Sequence, residues 1–292
     1  MCNGRRANLV VVSPPNIQLD FSPKMNDPNF LHAIILGIVE GVSEFLPISS
    51  TGHLIIVGEL LGFSSVPGKV FEVVIQLGAI LAICVLYSGR LTRVLRDAPR
   101  DAGARNFIGA IFVALIPAGL LGVLYHDFIL EVLFTPYVVC AALITGGIAI
   151  VVVERLHLEP RITSVEAFSM RTALKIGLFQ CIALVPGVSR SGATILGALL
   201  VGVERKTAAE FSFFLAIPVM LGASVVSLRD TWQLISMDDL HLIAAGFIAA
   251  FISALLVVKW LVSFVSSHGF TVFGWYRILF GSLLLIYFSL SS

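Results

Sequence analysis

From Phe30 onward the chain alternates long apolar runs with short charged or Gly/Pro-rich punctuation. A helix that crosses a bilayer needs about 20 predominantly apolar residues in succession. Six runs meet that length, at about 70–88, 106–125, 136–154, 209–227, 240–263 and 272–289, and are expected to be full transmembrane helices. Two further regions, about 30–62 and 172–202, are equally apolar but broken in the middle, by "LPISSTGH" in the first and "VPGVSRSGAT" in the second. Neither half of either region is long enough to span alone. Irregular backbone at membrane depth is tolerated only where protein buries it or where it lines a wet cavity. Each broken region is therefore expected to be a re-entrant pair of short helices that enters and leaves by one face.

The two broken regions also match each other. Sliding the chain by 140 residues aligns Gly37 with Gly177, Glu40 with Gln180, Ser49 with Ser189, Gly52 with Gly192, Ile55 with Ile195, Leu60 with Leu200, Gly62 with Gly202 and Phe71 with Phe211, without a gap. Self-similarity at a fixed offset is the mark of duplication. Residues 29–292 accordingly read as one membrane domain made of two repeats, about 29–155 and 170–292.

Composition agrees with the pattern: 58% of the residues are hydrophobic and 13% charged, against roughly a quarter charged in soluble domains. The fold class is an all-α polytopic membrane protein, with membrane lipids as its surroundings. A net charge of +1, spread thinly between apolar runs, gives no footprint for nucleic acid. Cys2, Cys84, Cys140 and Cys181 have no CxxC spacing, so neither a disulfide nor a zinc site is expected. Residues 1–28 hold no apolar run long enough for a signal-peptide core, and Pro14 and Pro15 break what there is. They are expected to be a disordered extension, with Met25 as an alternative start. The Phe content and Trp232, Trp260 and Trp275 are what lipid contact and interfacial belts require.

Positive charge in short loops orients the chain. Arg90, Arg93, Arg96, Arg100 and Arg105 follow the first span, and Arg155, Arg161 and Arg171 follow the third, so these loops are expected to be cytoplasmic. The segments at 126–131 and 229–239 are poor in Lys and Arg and are expected to face outward. Three full spans per repeat, an odd number, then invert the second repeat against the first. The two broken loops approach from opposite faces and meet near the bilayer midplane.

At that meeting point the N-termini of the short helices favour anions. The second loop offers Ser189, Ser191, Gly192 and Thr194, with Arg190 as a planar, permanently charged fork for phosphate oxygens. The first offers Ser49, Ser50, Thr51 and Gly52, followed by His53. Glu40 and Glu44, four residues apart on a helix, point two carboxylates from one face toward the same cavity. Their mutual repulsion calls for a divalent cation (Mg2+ or Ca2+), Arg190 or a proton. Ser50 and His53 are spaced as a hydroxyl nucleophile and its proton acceptor; a water nucleophile with Ser50 only positioning phosphate is equally open.

Plainer roles stand beside these. Ser49, Ser50 and Thr51 are good helix caps, Arg190 could snorkel to an interface, and Glu204, Arg205, Lys206 and Glu210 read as an interfacial turn. Gln76 lies near the first loop. Inverted repeats with broken helices also serve transporters, so a lipid-phosphate flippase is the competing function. It has no use for a nucleophile and a base. A histidine-nucleophile membrane phosphatase would want a second histidine after Ser189 and Arg190, where "SGATILGALL" has none.

"EGVSEFLPISSTGHL" at 40–54 and "PGVSRSGAT" at 186–194 resemble the two signature segments of the bacterial undecaprenyl-diphosphatase family, also called bacitracin-resistance proteins, and the likeness extends from about Met25 to the end. The resemblance implies an inner-membrane enzyme that removes the terminal phosphate of a polyprenyl diphosphate lipid, undecaprenyl diphosphate, through a site open to the periplasmic side. By motif it carries function onto Glu40, Glu44, Ser50 and His53 in the first segment and Arg190 in the second. A homodimer is one arrangement open to such a chain.

Overall fold

The computed structural model describes residues 28–63, 70–231 and 239–291. The expectations for residues 1–27, Cys2 and Trp232 lie outside them. Among the described residues the regular secondary structure is helical, apart from an isolated bridge between Ile162 and Val203. In order the helices are α1 (Pro28–Ser43), α2 (Ser50–Leu61), α3 (Val70–Leu86), α4 (Ser88–Asp97), α5 (Ala102–Leu124), the single turn α6 (His126–Phe128), α7 (Pro136–Arg155), α8 (Met170–Cys181), α9 (Arg190–Leu200), α10 (Arg205–Thr231), α11 (Leu240–His268) and α12 (Thr271–Ser291). Side-chain caps explain several starts: Asp101 accepts from the Ala104 amide, Thr135 from Val138 and Ser169 from Thr172.

Five helices, α5, α7, α10, α11 and α12, are long and apolar enough to cross a membrane, and the protein is a multi-pass membrane protein. The expected span at 70–88 differs. α3 stops at Leu86 and the chain bends by 69° into α4, so the two count as one broken span. At 17 residues α3 is roughly 26 Å long at 1.5 Å per residue. Beyond it, Arg90, Arg93 and Arg96 make α4 a polar helix with no buried residue, which turns aside rather than carry those charges onward.

Lipid supplies no hydrophobic drive between helices, so close approach through small residues holds them together. A Cβ on Gly37 would stand 2.2 Å from the Gly246 carbonyl, and one on Gly41 2.1 Å from Ser253 Oγ, which brings α1 against α11. A Cβ on Gly177 would stand 2.4 Å from the Ala114 carbonyl, bringing α8 against α5. α7 packs on α12 through Gly147, Gly274 and Gly281. The 140-residue offset reappears here: α1 corresponds to α8, and each packs on a long helix of the other half of the chain. It reappears in the backbone as well. Ser49 and Ser189 sit immediately before α2 and α9 with φ 72° and 75°, and Gly62 and Gly202 close those helices with φ 61° and 87°. Positive φ is rare for serine.

Candidate active site

Both interrupted loops arrive at one point. Ser191 Oγ, in the first turn of α9, donates to the Leu46 carbonyl of the first loop at 2.9 Å. Glu44, one residue past α1, is 7% exposed and uses both oxygens: Oε1 accepts from Arg190 Nη2 at 2.9 Å and Oε2 accepts from the Ser50 hydroxyl at 2.6 Å. Ser50 and Arg190, which the sequence places 140 positions apart, therefore share one carboxylate.

Arg190 is held on its other side. Its Nη1 donates to the Ser212 carbonyl at 2.9 Å, its Nη2 lies 3.2 Å from Met220 Sδ, and the guanidinium carbon lies 5.9 Å from the centre of the Phe45 ring. It does not snorkel to an interface. Its Nε is buried and donates to no group among the described residues.

The hydroxyl-rich residues divide between the loops. Ser189 Oγ accepts from the Gly192 amide at 3.1 Å and lies 3.0 Å from Ser191 Oγ. Thr194 Oγ1 reaches Ser212 Oγ at 2.7 Å. Ser189, Ser191 and Thr194 thus fasten the first turn of α9, which is an internal duty, with Gly192 contributing backbone. On the first loop the cap expected of Ser49 is not made: its side chain forms no cap bond, and the amides of the first turn of α2, which holds Thr51, Gly52 and His53, are not capped by Ser49.

His53 is not bonded to Ser50. Its Nδ1 lies 2.7 Å from the Ser49 carbonyl and its Nε2 lies 2.6 Å from the Tyr276 hydroxyl. A carbonyl only accepts, so Nδ1 carries a proton and donates it to the Ser49 oxygen. The imidazole is stacked on Phe280 at 4.4 Å. The acceptor of the Ser50 proton in this geometry is Glu44.

Glu40 is 1% exposed and neither carboxylate oxygen accepts a hydrogen bond, although it lies within electrostatic reach of Glu44, Glu72 and Arg190. Two unbonded buried oxygens fit one edge of a hard divalent cation, which often takes only one or two carboxylates from the protein. Glu44, expected as the second ligand, has both oxygens engaged. Among the described residues no group of three or more His, Cys, Asp and Glu side chains comes together.

Other expectations fall away from this point. Gln76 is half-buried and makes no hydrogen bond to the site. Arg205 pairs with Glu154 and Glu210 with Arg90, so the 204–210 cluster ties helices together. Reading the sequence missed Ser212 and Met220, which carry no motif, and Tyr276 and Arg277, which stand inside an apolar run taken whole as a span. The signal was there, since an arginine within a span marks function by default.

The fold and site define a membrane-embedded α-helical protein in which two interrupted hairpins bring a hydroxyl, a carboxylate and a guanidinium into contact. The profile of the family described as "Bacitracin resistance protein BacA" matches residues 33–283, and the chain belongs to that family. It is 52% identical over 257 residues to "Undecaprenyl-diphosphatase" of Phenylobacterium zucineum (strain HLK1), covering 88% of this chain and 96% of that one. "Undecaprenyl-diphosphatase 1" of Agrobacterium fabrum is 51% identical over 263 residues, covering 90% and 98%. "Undecaprenyl-diphosphatase" of Cereibacter sphaeroides (strain ATCC 17025 / ATH 2.4.3) is 50% identical over 262 residues, covering 89% and 97%.

Proposed function

We propose that this protein hydrolyses undecaprenyl diphosphate to undecaprenyl phosphate and inorganic phosphate, recycling the lipid carrier for peptidoglycan synthesis and conferring bacitracin resistance. The observation that carries the chemistry is Glu44 joining Ser50 to Arg190 at the junction of the two loops. The chain sits in the bacterial inner membrane as two inverted repeats, and the site opens to the periplasmic side; the arginine-rich segment from Arg90 to Arg105 supports that orientation.

Arg190, through its fork and the donor left on Nε, draws the terminal phosphate to the first turn of α2, where uncapped amides add to the pull on its oxygens. Glu40 would hold a divalent cation, Mg2+ or Ca2+, which when bound offsets the diphosphate charge. Ser50 Oγ attacks the terminal phosphorus in line and passes its proton to Glu44 Oε2. The bond from that phosphorus to the bridging oxygen breaks, its electron pair leaves with the lipid monophosphate, and the proton on Glu44 Oε2 passes to that departing phosphate, which returns Glu44 to the carboxylate. Water then attacks the phosphoserine with Glu44 as base, inorganic phosphate departs and Ser50 recovers its proton. His53, locked by Ser49 and Tyr276, presents a fixed imidazole at the same turn.

Purified protein in detergent, with no gradient across a membrane, is expected to release phosphate from undecaprenyl diphosphate, and Ser50→Ala to lose nearly all of that rate. A lipid carrier without hydrolytic chemistry releases none. Absence of phosphate release from the wild type overturns the reading.

A further inference from the structure

Arg277, in the second turn of apolar α12, is 1% exposed. All five of its N–H donors go to main-chain carbonyls: Nη1 to Pro47 at 3.2 Å and Val188 at 2.8 Å, Nη2 to Ala142 at 2.9 Å and Gly187 at 3.1 Å, and Nε to Leu143 at 3.3 Å. No ion pair forms on it among the described residues. A buried charge without a counter-ion is expensive, and an apolar side chain of similar size would fill the space without that desolvation. What the guanidinium supplies instead is geometry.

Three of the five carbonyls belong to the two interrupted loops, and they stand one or two residues ahead of the strained serines. Pro47 lies two before Ser49; Val188 directly precedes Ser189. Positive φ at a non-glycine residue persists only where its surroundings over-determine it. Among the described residues Arg277 is the one side chain that bonds the main chain ahead of both. Ser50 and Arg190 follow those serines directly, so the same grip fixes where the hydroxyl and the guanidinium stand on Glu44.

We infer that Arg277 is a positioning residue for phosphate transfer, clamping the two loops in register so that Ser50 and Arg190 meet the phosphorus in line. This rests on the reaction described under Proposed function. Gly146 on α7 belongs to the same device. A Cβ there would stand 2.2 Å from Arg277 Nη2, and a guanidinium tied to five carbonyls cannot yield without losing some of them.

Two variants reach the clamp by separate routes. Arg277→Lys keeps the charge and loses the fork; Gly146→Ala keeps the whole of Arg277 and displaces it. Steady-state phosphate release from undecaprenyl diphosphate is measured on monodisperse protein, beside wild type and Gly119→Ala, whose new Cβ on α5 meets nothing within 4 Å. Both clamp variants are expected to lose about 10²-fold in kcat, as small displacements of reacting groups do, with KM within about threefold because uniform binding is untouched. The double variant is expected to be no slower than Arg277→Lys alone, since both act through one contact. Gly119→Ala keeps the wild-type rate.

A merely structural role would lower the yield of folded protein and leave kcat intact in what folds; that result overturns the inference, as does a loss confined to KM. If Arg277→Lys does not fold, Gly146→Ala decides by the same criteria. A wild type that releases no phosphate counts against the proposed reaction instead.

Discussion

Glu44 and Arg190 are 146 residues apart in the chain and 2.9 Å apart in space. The pair is buried, with side-chain exposures of 7% and 12%, and Ser50 leans on the same carboxylate. In the absence of substrate the carboxylate neutralises the guanidinium, and the serine proton already points at its acceptor. In the proposed reaction an incoming phosphate would take over the guanidinium and free the carboxylate to act as base.

Arg190→Lys keeps a positive charge but has no fork to bridge the Ser212 carbonyl and Glu44 together. Its kcat is expected to fall about 10²- to 10³-fold, the loss seen when one preorganised donor to a transition-state oxygen is removed. Steady-state phosphate release measures it, and a rate within a few fold of wild type removes Arg190 from phosphate binding.

Glu40 is predicted to hold the cation. After treatment with a chelator, activity should return on addition of Mg2+ or Ca2+. In Glu40→Gln the concentration needed for half-activation should rise by at least about tenfold, a loss typical even of residues that only support a metal ligand. An unchanged titration, or full activity in chelator, contradicts the assignment.

Much of this site was legible in the sequence because its parts are chemically conspicuous. Charged and hydroxyl residues in an apolar chain mark themselves, and the offset that aligned Ser49 with Ser189 predicted two equivalent turns, now matched in backbone angle. The bend at Tyr87 was hidden, since the apolar run continues into it and only the charge density of α4 turns the chain aside. The partner of His53 was hidden for another reason. Tyr276 lies 223 residues away, and helical spacing within one segment favoured Ser50, whereas the tertiary fold gave Ser50 to Glu44. Which loop hydroxyls cap a helix and which stand free also depends on contacts between halves.

Close packing of α1 on α11 is predicted to be intolerant of a single methyl. Gly41→Ala places a Cβ 2.1 Å from Ser253 Oγ and 2.3 Å from the Ala250 carbonyl, and overpacking of this kind costs about 1–3 kcal/mol. Gly119→Ala, with open space around it, should gain about 0.5–1 kcal/mol from helix propensity alone. Thermal unfolding in detergent reports both signs, and equal midpoints for the two variants count against the packing argument.

Outside the spans, Glu166 pairs with Arg90. Burial alone would raise its carboxyl pKa, but the hydrogen bond and charge of Arg90 outweigh burial and hold it below the usual carboxylate range. A depressed folded value stabilises the protein above the ordinary glutamate pKa of about 4.3, and that contribution is lost as pH falls through the folded value. With the side chain 41% exposed the effect is small. Glu166→Gln should melt below wild type at pH 7, with the gap closing in acid. A gap that is constant from pH 7 to pH 3 contradicts the pairing.

A double-mutant cycle on Glu44→Gln and Arg190→Ala, read as kcat/KM for phosphate release from undecaprenyl diphosphate, bears most directly on whether the two loops form one reaction centre. Each single variant is predicted to lose at least about 10²-fold, and the double variant to be no worse than the more damaged single, because both remove the same unit. Losses that multiply, or wild-type turnover in either single variant, contradict a shared centre.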